Sequence, residues 1–401
     1  MPTMNMSSDT LIQASANQYK ILNEEIYFND AIEAQEYAKN NPGKSVVRNS
    51  NITNFTPHNS QSKKGLKINK TPKMILDYLN KHIISQDDAK KEIALAMYYH
   101  DLKSNFPNNK DIGVNGPVMI VGPTGSGKTF IVQKACEYID TVFIHVDTSS
   151  MVPEGIMGYS LGDLGKDILR RANDDISKAE HCVVFFDEMD KLFKNEDEDS
   201  DKVASQLLRL IEGTKIKLPY TYVELAANPD VTREIDSTDM QFILGGAFQW
   251  ILDDKSKNKS TVGFAKKVVE EKNHSITLED LYEQDIPKEL LGRMNTIVNL
   301  HPLTENDYYK ILTQSASSPL REFINKIEFH GDTVNISNDT LIEISKMAAN
   351  SKLGVRSIKQ TLKTLFKDAL FSAPEGEVST HTIICKGIDA VDGNNRSQYE
   401  T

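Results

Sequence analysis

A chain of 401 residues, 39% of them hydrophobic, is long enough for two or three domains with sizeable cores, and no window approaches the roughly 18 apolar residues of a membrane span. A formal charge of -11 opposes nonspecific binding of nucleic acid, and no local basic stripe offsets it. Three widely separated cysteines, Cys136, Cys182 and Cys385, form no paired zinc motif and suit a reducing, cytoplasmic setting, so neither zinc, nucleic acid nor membrane is expected.

Residues 11–39 contain a helical pattern, and the Asn-, Ser- and Lys-rich stretch after it reads as a linker, so 1–71 is expected to be a partly disordered N-terminal extension. From residue 72 apolar residues recur at helical spacing, with Ile75 and Leu76 in one helix and Ile93 and Met97 in a second, separated by the segment 82–86. Short apolar runs at 118–121 and 182–186, with helical patterns between them, predict buried parallel strands and an α/β fold. Helical patterns beginning near Thr304, Asp339 and Val355, followed by a strand-like run from Thr380, predict a smaller, mostly helical α+β domain. The expected organisation is therefore an α/β large domain with a parallel sheet at 72–302, the small domain at 303–390 and a disordered tail at 391–401.

The run at 118–121 leads into Gly122, Pro123, Thr124, Gly125, Ser126, Gly127, Lys128 and Thr129, the phosphate-binding loop pattern of P-loop proteins. Its glycines let backbone N–H groups converge on the phosphates of ATP, Lys128 supplies a point charge, and the Thr129 hydroxyl is suited to Mg²⁺. The second run ends in Asp187 and Glu188. Carboxylates just beyond a buried strand fit a ligand site at the sheet's C-terminal edge, Asp187 on Mg²⁺ and Glu188 orienting or deprotonating the attacking water.

From His82 to Phe371 the chain resembles the ClpX protein unfoldases of the AAA+ superfamily. The segments 176–191, 206–214, 242–248, 286–305 and 354–358 fall in ClpX order at compatible spacing. The resemblance implies that Ile83 and Ile84 enclose adenine, with Ser85 where glycine is usual. It implies that Arg293 reaches the γ-phosphate of a neighbouring subunit, which makes a homo-hexamer the expected assembly, and that Arg356 touches the phosphates of its own subunit. A finger of this kind is worth roughly 10³ to 10⁵ in rate in related NTPases. Tyr159, in the segment 157–163, matches the aromatic residue that grips translocating polypeptide, although the family's tetrapeptide carries one extra residue here; a core tyrosine beside a turn is the other reading.

The acidic run 194–201 reads as a solvated surface loop. A four-cysteine zinc domain, a basic triplet between 211 and 248 and a polar first sensor near Gly245 have no match in the sequence. Polar residues fill 253–261, and Val262, Gly263 and Phe264 then interrupt them. The resemblance implies that these three dock a ClpP-like peptidase; alternatively they open a strand on the large domain. The implied function is an ATP-dependent unfoldase and translocase acting on protein substrates and feeding the peptidase, with an adaptor engaging the N-terminal extension. The alternatives are a peptidase-independent chaperone remodelling a dedicated assembly, a nucleotide-dependent scaffold and, last, a nucleic-acid motor.

Overall fold

The computed structural model describes residues 70–385, apart from 107–115, 154–155, 157, 195–197, 219–233, 254–274, 285, 295, 352 and 376–378, and before residue 70 it describes 19–21, 27–28, 40 and 46–48. The chain divides into two compact units, Met1–Lys67 and Ile68–Thr401.

In the first unit, β1 (Tyr19–Ile21) pairs antiparallel with both β2 (Tyr27–Phe28) and β3 (Val46–Arg48). This corrects the sequence reading twice: two strands lie within the expected helix, and β3 lies within the expected linker. The residues involved are aromatic or β-branched in large part, and such side chains favour the pleated chain over the helix.

The second unit is built on a five-stranded parallel sheet made from β4 (Val118–Val121), β5 (Phe143–Asp147), β6 (Val183–Asp187), β9 (Gln241–Gly246) and β10 (Thr296–Asn299). A short antiparallel pair, β7 (Lys215–Lys217) and β8 (Glu234–Asp236), lies apart from it. The strand order is β10-β4-β9-β6-β5, so β9 stands between the strand that leads into the phosphate loop and the strand that ends in Asp187. Because side chains alternate across a strand, the central runs divide between two cores. Met119, Val121, Val184, Phe186 and Leu244 join the core covered by the helices Leu161–Arg171 and Glu198–Glu212. Val118, Ile120, Val183, Phe185 and Ile243 join the core covered by Pro72–His82, Asp87–Asn105 and Lys128–Ile139. Burial on both faces explains why these strands read as unbroken apolar runs.

A third core gathers Tyr308, Phe323, Ile344, Ile358 and Phe366 from the helices that follow. The helix Pro319–Glu328 and the strand β11 (Thr333–Ile336), parallel to β12 (Thr380–Ile383), add to the elements the sequence suggested. The helical pattern from Val355 divides into Val355–Leu365 and Lys367–Ser372 at the fully buried Phe366. The acidic run is no loop where it is described: Glu198 and Asp199 open the helix Glu198–Glu212, where negative charge faces the positive end of the helix dipole. Among the described residues no helix is long and apolar enough to cross a membrane.

Candidate active site

Parallel strands deliver their C-terminal ends to one edge, and all five do so here with polar groups or glycine, β10 ending in Asn299. Gly122 follows β4, Asp187 ends β6, Asp147 ends β5, and Gly245 and Gly246 end β9. The phosphate loop is pinned to this edge by the Gly122 N–H, which donates to the Gly246 carbonyl at 3.1 Å, and by the Ser126 N–H, which donates to Pro123 at 3.2 Å. Gly127 caps the helix Lys128–Ile139 in the left-handed region at φ 100°, and a Cβ there would meet nothing within 4 Å. The loop therefore opens toward solvent with the helix N-terminus behind it, an arrangement that favours anions.

Lys128 lies over its own loop, its ammonium donating to the carbonyls of Gly122 at 2.7 Å and Pro123 at 3.3 Å. Burial holds its pKa below the ordinary lysine value; Asp187, Asp190 and Glu188 oppose that shift, and the nearby Arg356 guanidinium adds to it. The Thr129 hydroxyl donates to Asp187 Oδ2 at 3.1 Å. Burial alone would raise the Asp187 carboxyl, but the His145 ring at 3.4 Å, the Glu188 N–H at 2.9 Å, Lys128 and Thr129 outweigh it and hold the group below the usual carboxylate range. Glu188 takes φ 59°, unusual for a residue with a side chain, and its Oε2 accepts from Lys191.

The residues present fit a nucleoside triphosphate with a divalent ion. The Ser126 hydroxyl is buried and has no hydrogen-bond partner among the described residues, so a phosphate oxygen would satisfy it. Thr129 and Asp187 offer adjacent hard oxygen donors of the kind Mg²⁺ selects.

Arg356 comes to the loop from the third core. Its segment makes a close backbone contact there: a Cβ on Gly354 would stand 3.0 Å from Gly125 Cα, and one on Gly125 would stand 2.9 Å from the Leu353 carbonyl oxygen. The half-buried Ile83 and Ile84 follow the helix Pro72–His82. Ser85 and the next residue, Gln86, both adopt φ 61°, so the turn is kept without the glycine. Gln86 is buried and clamps His301 twice, donating to its carbonyl at 2.7 Å and accepting from its N–H at 2.9 Å. The preceding residues reach the small domain directly, through Ser315 Oγ donating to the His82 carbonyl and the Ala316 N–H donating to the Lys81 carbonyl.

A family model described as "ATPase family associated with various cellular activities (AAA)" matches residues 118–249. Relatives named ATP-dependent Clp protease ATP-binding subunit ClpX include those of Borrelia duttonii (strain Ly), 28% identical over 82% of this chain and 80% of the relative, and Treponema denticola, 28% over 79% and 80%. A protein of Wolinella succinogenes named ClpX 2 is 26% identical over 79% of this chain and 81% of its own length. The chain carries an AAA ATPase domain and is similar to ClpX proteins over about four fifths of its length.

Two sequence-derived residues stand apart from the cluster in this ClpX-like chain. Arg293 precedes β10, which runs parallel to β4 with Thr296 beside Val118, so it lies at the N-terminal edge of the sheet while the phosphate loop lies at the C-terminal edge. Its guanidinium donates to Glu212 at 2.6 Å. Tyr159 is half-buried against the first core, its hydroxyl donating to Asp167 at 3.2 Å, and burial with that carboxylate beside it pushes the phenol pKa up. Just before this segment, Ile156 is an exposed apolar side chain among the described residues. Val262, Gly263 and Phe264 lie outside the described residues.

Sequence reasoning missed His145, Gln86, Asp190 and Lys191. Asp190 stands where no polar first sensor was found: a Cβ on Gly246 would come within 3.0 Å of its Oδ1. The signal for Asp190 was its place two residues beyond Glu188; His145 lies on an alternating strand that no apolar run announces.

Proposed function

We propose that this ATPase is a protein unfoldase and translocase of the ClpX type, working as a homo-hexamer in the cytoplasm and passing protein substrates to a ClpP-like peptidase. The observation that carries the reading is the contact of the Gly354–Arg356 segment with the phosphate loop, because it makes the junction of the two domains part of the nucleotide site. Work on a polypeptide requires that kind of link between phosphate chemistry and rigid-body movement.

MgATP, when bound, supplies the phosphoryl group that is cleaved. In this reading the backbone of 122–127, Lys128 and Arg356 hold the phosphates, Thr129 and Asp187 hold Mg²⁺, and Ile83 and Ile84 enclose adenine. Glu188 orients the water and accepts its proton. Arg293, at the far edge of the sheet from its own phosphate loop, serves the site of the next subunit. Tyr159 belongs to the segment that meets the substrate, and Val262–Phe264 dock the peptidase. No zinc is required.

ATP turnover and unfolding of a tagged fluorescent protein test the reading. Glu188→Gln is expected to lose turnover by roughly 10²- to 10⁴-fold while still binding ATP; undiminished turnover would remove Glu188 from its role. A second reading, a peptidase-independent chaperone of one dedicated assembly, draws support from the three paired strands in the N-terminal unit, which give an adaptor or substrate something built to engage. Deleting 262–264 separates the two: loss of peptidase-coupled degradation at preserved ATPase favours the first, and no change in either favours the second.

A further inference from the structure

Lys191 is not used in the proposed chemistry, yet it holds Glu188 at two points. Its N–H donates to the Glu188 carbonyl at 2.9 Å, and its ammonium pairs with Glu188 Oε2. Glu188 meanwhile occupies a left-handed conformation that a residue with a side chain keeps only where its surroundings impose it. Lys191, though not Glu188, borders a cavity of about 350 Å³ whose lining also includes Leu192, Asp199 and Val203 on one side and Thr148, Met151 and Val152 on the other. Met151 and Val152 are joined to Tyr159, Met151 through a parallel bridge and Val152 through its N–H to the Tyr159 carbonyl at 3.0 Å. One wall of the cavity is therefore the start of the segment that ends at Tyr159, and the other carries the cation on Glu188.

We propose that Lys191 is a positioning residue that restrains the Glu188 carboxylate at rest and turns into the adjoining cavity when polypeptide shifts the paired residues Met151, Val152 and Tyr159, leaving the carboxylate to the attacking water. The proposal rests on Glu188 acting as the base. The ammonium is more than half exposed, at 58% for the side chain, so the restraint is a weak one that ordinary side-chain contacts can release. The cavity is large enough to take a lysine head group without moving the strands that carry the phosphate loop and Asp187.

The experiment measures ATP turnover of the full chain with and without a carboxymethylated, permanently unfolded polypeptide. Lys191→Met is expected to raise basal kcat about two- to five-fold, equivalent to about 0.4–1 kcal/mol. It should leave KM for ATP unchanged and shrink stimulation by the polypeptide toward a ratio of one. Lys191→Arg, which keeps the cation, should restore both basal rate and stimulation. Thermal melting of each variant, with Lys191→Gln as a second neutral replacement, shows that the fold is retained. Wild-type basal kcat and stimulation in folded Lys191→Met, or a fall in kcat, would overturn the restraint; absence of stimulation in the wild type would overturn the coupling. Glu188→Gln in the same assay keeps the cases apart, because full turnover in that variant sinks the assignment of the base whatever the Lys191 variants do.

Discussion

Gly354→Ala tests whether the junction of the domains belongs to the nucleotide site. Gly354 has φ 56° and ψ -133°, a region that glycine enters freely and alanine does not. A Cβ would also stand 3.0 Å from both the Cα and the carbonyl oxygen of Gly125, and these are backbone atoms that no rotamer change can move aside. Strained conformations of this kind cost about 1–3 kcal/mol each. The strain is relieved when the Leu353–Arg356 segment draws back from the phosphate loop, which takes Arg356 away from the phosphates. If binding needs the closed contact, that penalty appears in the dissociation constant as a weakening of roughly 5- to 150-fold at 1.36 kcal/mol per tenfold. Titration of a fluorescent ATP analogue gives the dissociation constant, and thermal melting of the ligand-free protein shows whether the third core is intact. An unchanged dissociation constant in a folded Gly354→Ala protein would refute the claim that this contact takes part in nucleotide binding.

Three further predictions concern the buried His100, the half-buried Tyr159 and the exposed Ile156. His100 is buried with its ring against the His181 carbonyl at 3.0 Å, and desolvation lowers its pKa to about 4 from an ordinary 6.5, with the carbonyl opposing and His181 adding to the shift. The unfolded chain therefore binds a proton that the folded chain refuses: stability is full above pH 6.5 and is lost as pH falls from there toward 4, by about 3 kcal/mol in all. Melting temperature against pH should fall less steeply across that window in His100→Asn; equal slopes would sink the assignment. Tyr159→Ala separates packing from grip: a ring serving mainly the core costs melting temperature, whereas one serving mainly the substrate costs the unfolding rate at unchanged melting temperature and ATPase. Ile156→Ser, at the exposed position, is expected to slow unfolding of the tagged protein without moving either.

The strands at 118–121 and 183–187 were legible because burial on both faces writes itself as a continuous apolar run, and the phosphate loop because its glycines are tied to local backbone demands. Phe143–Asp147 was not, since its outward positions, His145 and Asp147, carry polar groups toward the site and interrupt the run. The N-terminal strands were mistaken for helix and linker because two- and three-residue strands are too short for either period to declare itself. The orientation of Tyr159 was settled by a partner eight residues on, Asp167 in the next helix, and the segment's own composition does not reveal that choice. The contact between Gly125 and Gly354 joins positions far apart in the chain, and each glycine alone reads as an ordinary turn or cap.

The helical part meets the sheet-bearing part at two contacts, near Lys81–Gln86 and at the phosphate loop, and these differ in kind. At the adenine end, hydrogen bonds from Ser315 and Ala316 to His82 and Lys81 involve main-chain carbonyls next to Ile83 and Ile84, while Gln86 clamps His301 in the chain leading to the third core. These groups are satisfied within the protein and do not need a ligand. At the phosphate end, the contact consists of two glycine backbones, and the charges beside it, Lys128 and Arg356, are both positive. Two cations held near one another repel, and phosphate relieves that repulsion where protein alone does not. The Lys81–Gln86 contact is therefore held from within the protein, whereas the Gly125–Gly354 contact sets two like charges beside one another and leaves their repulsion for an anion to relieve.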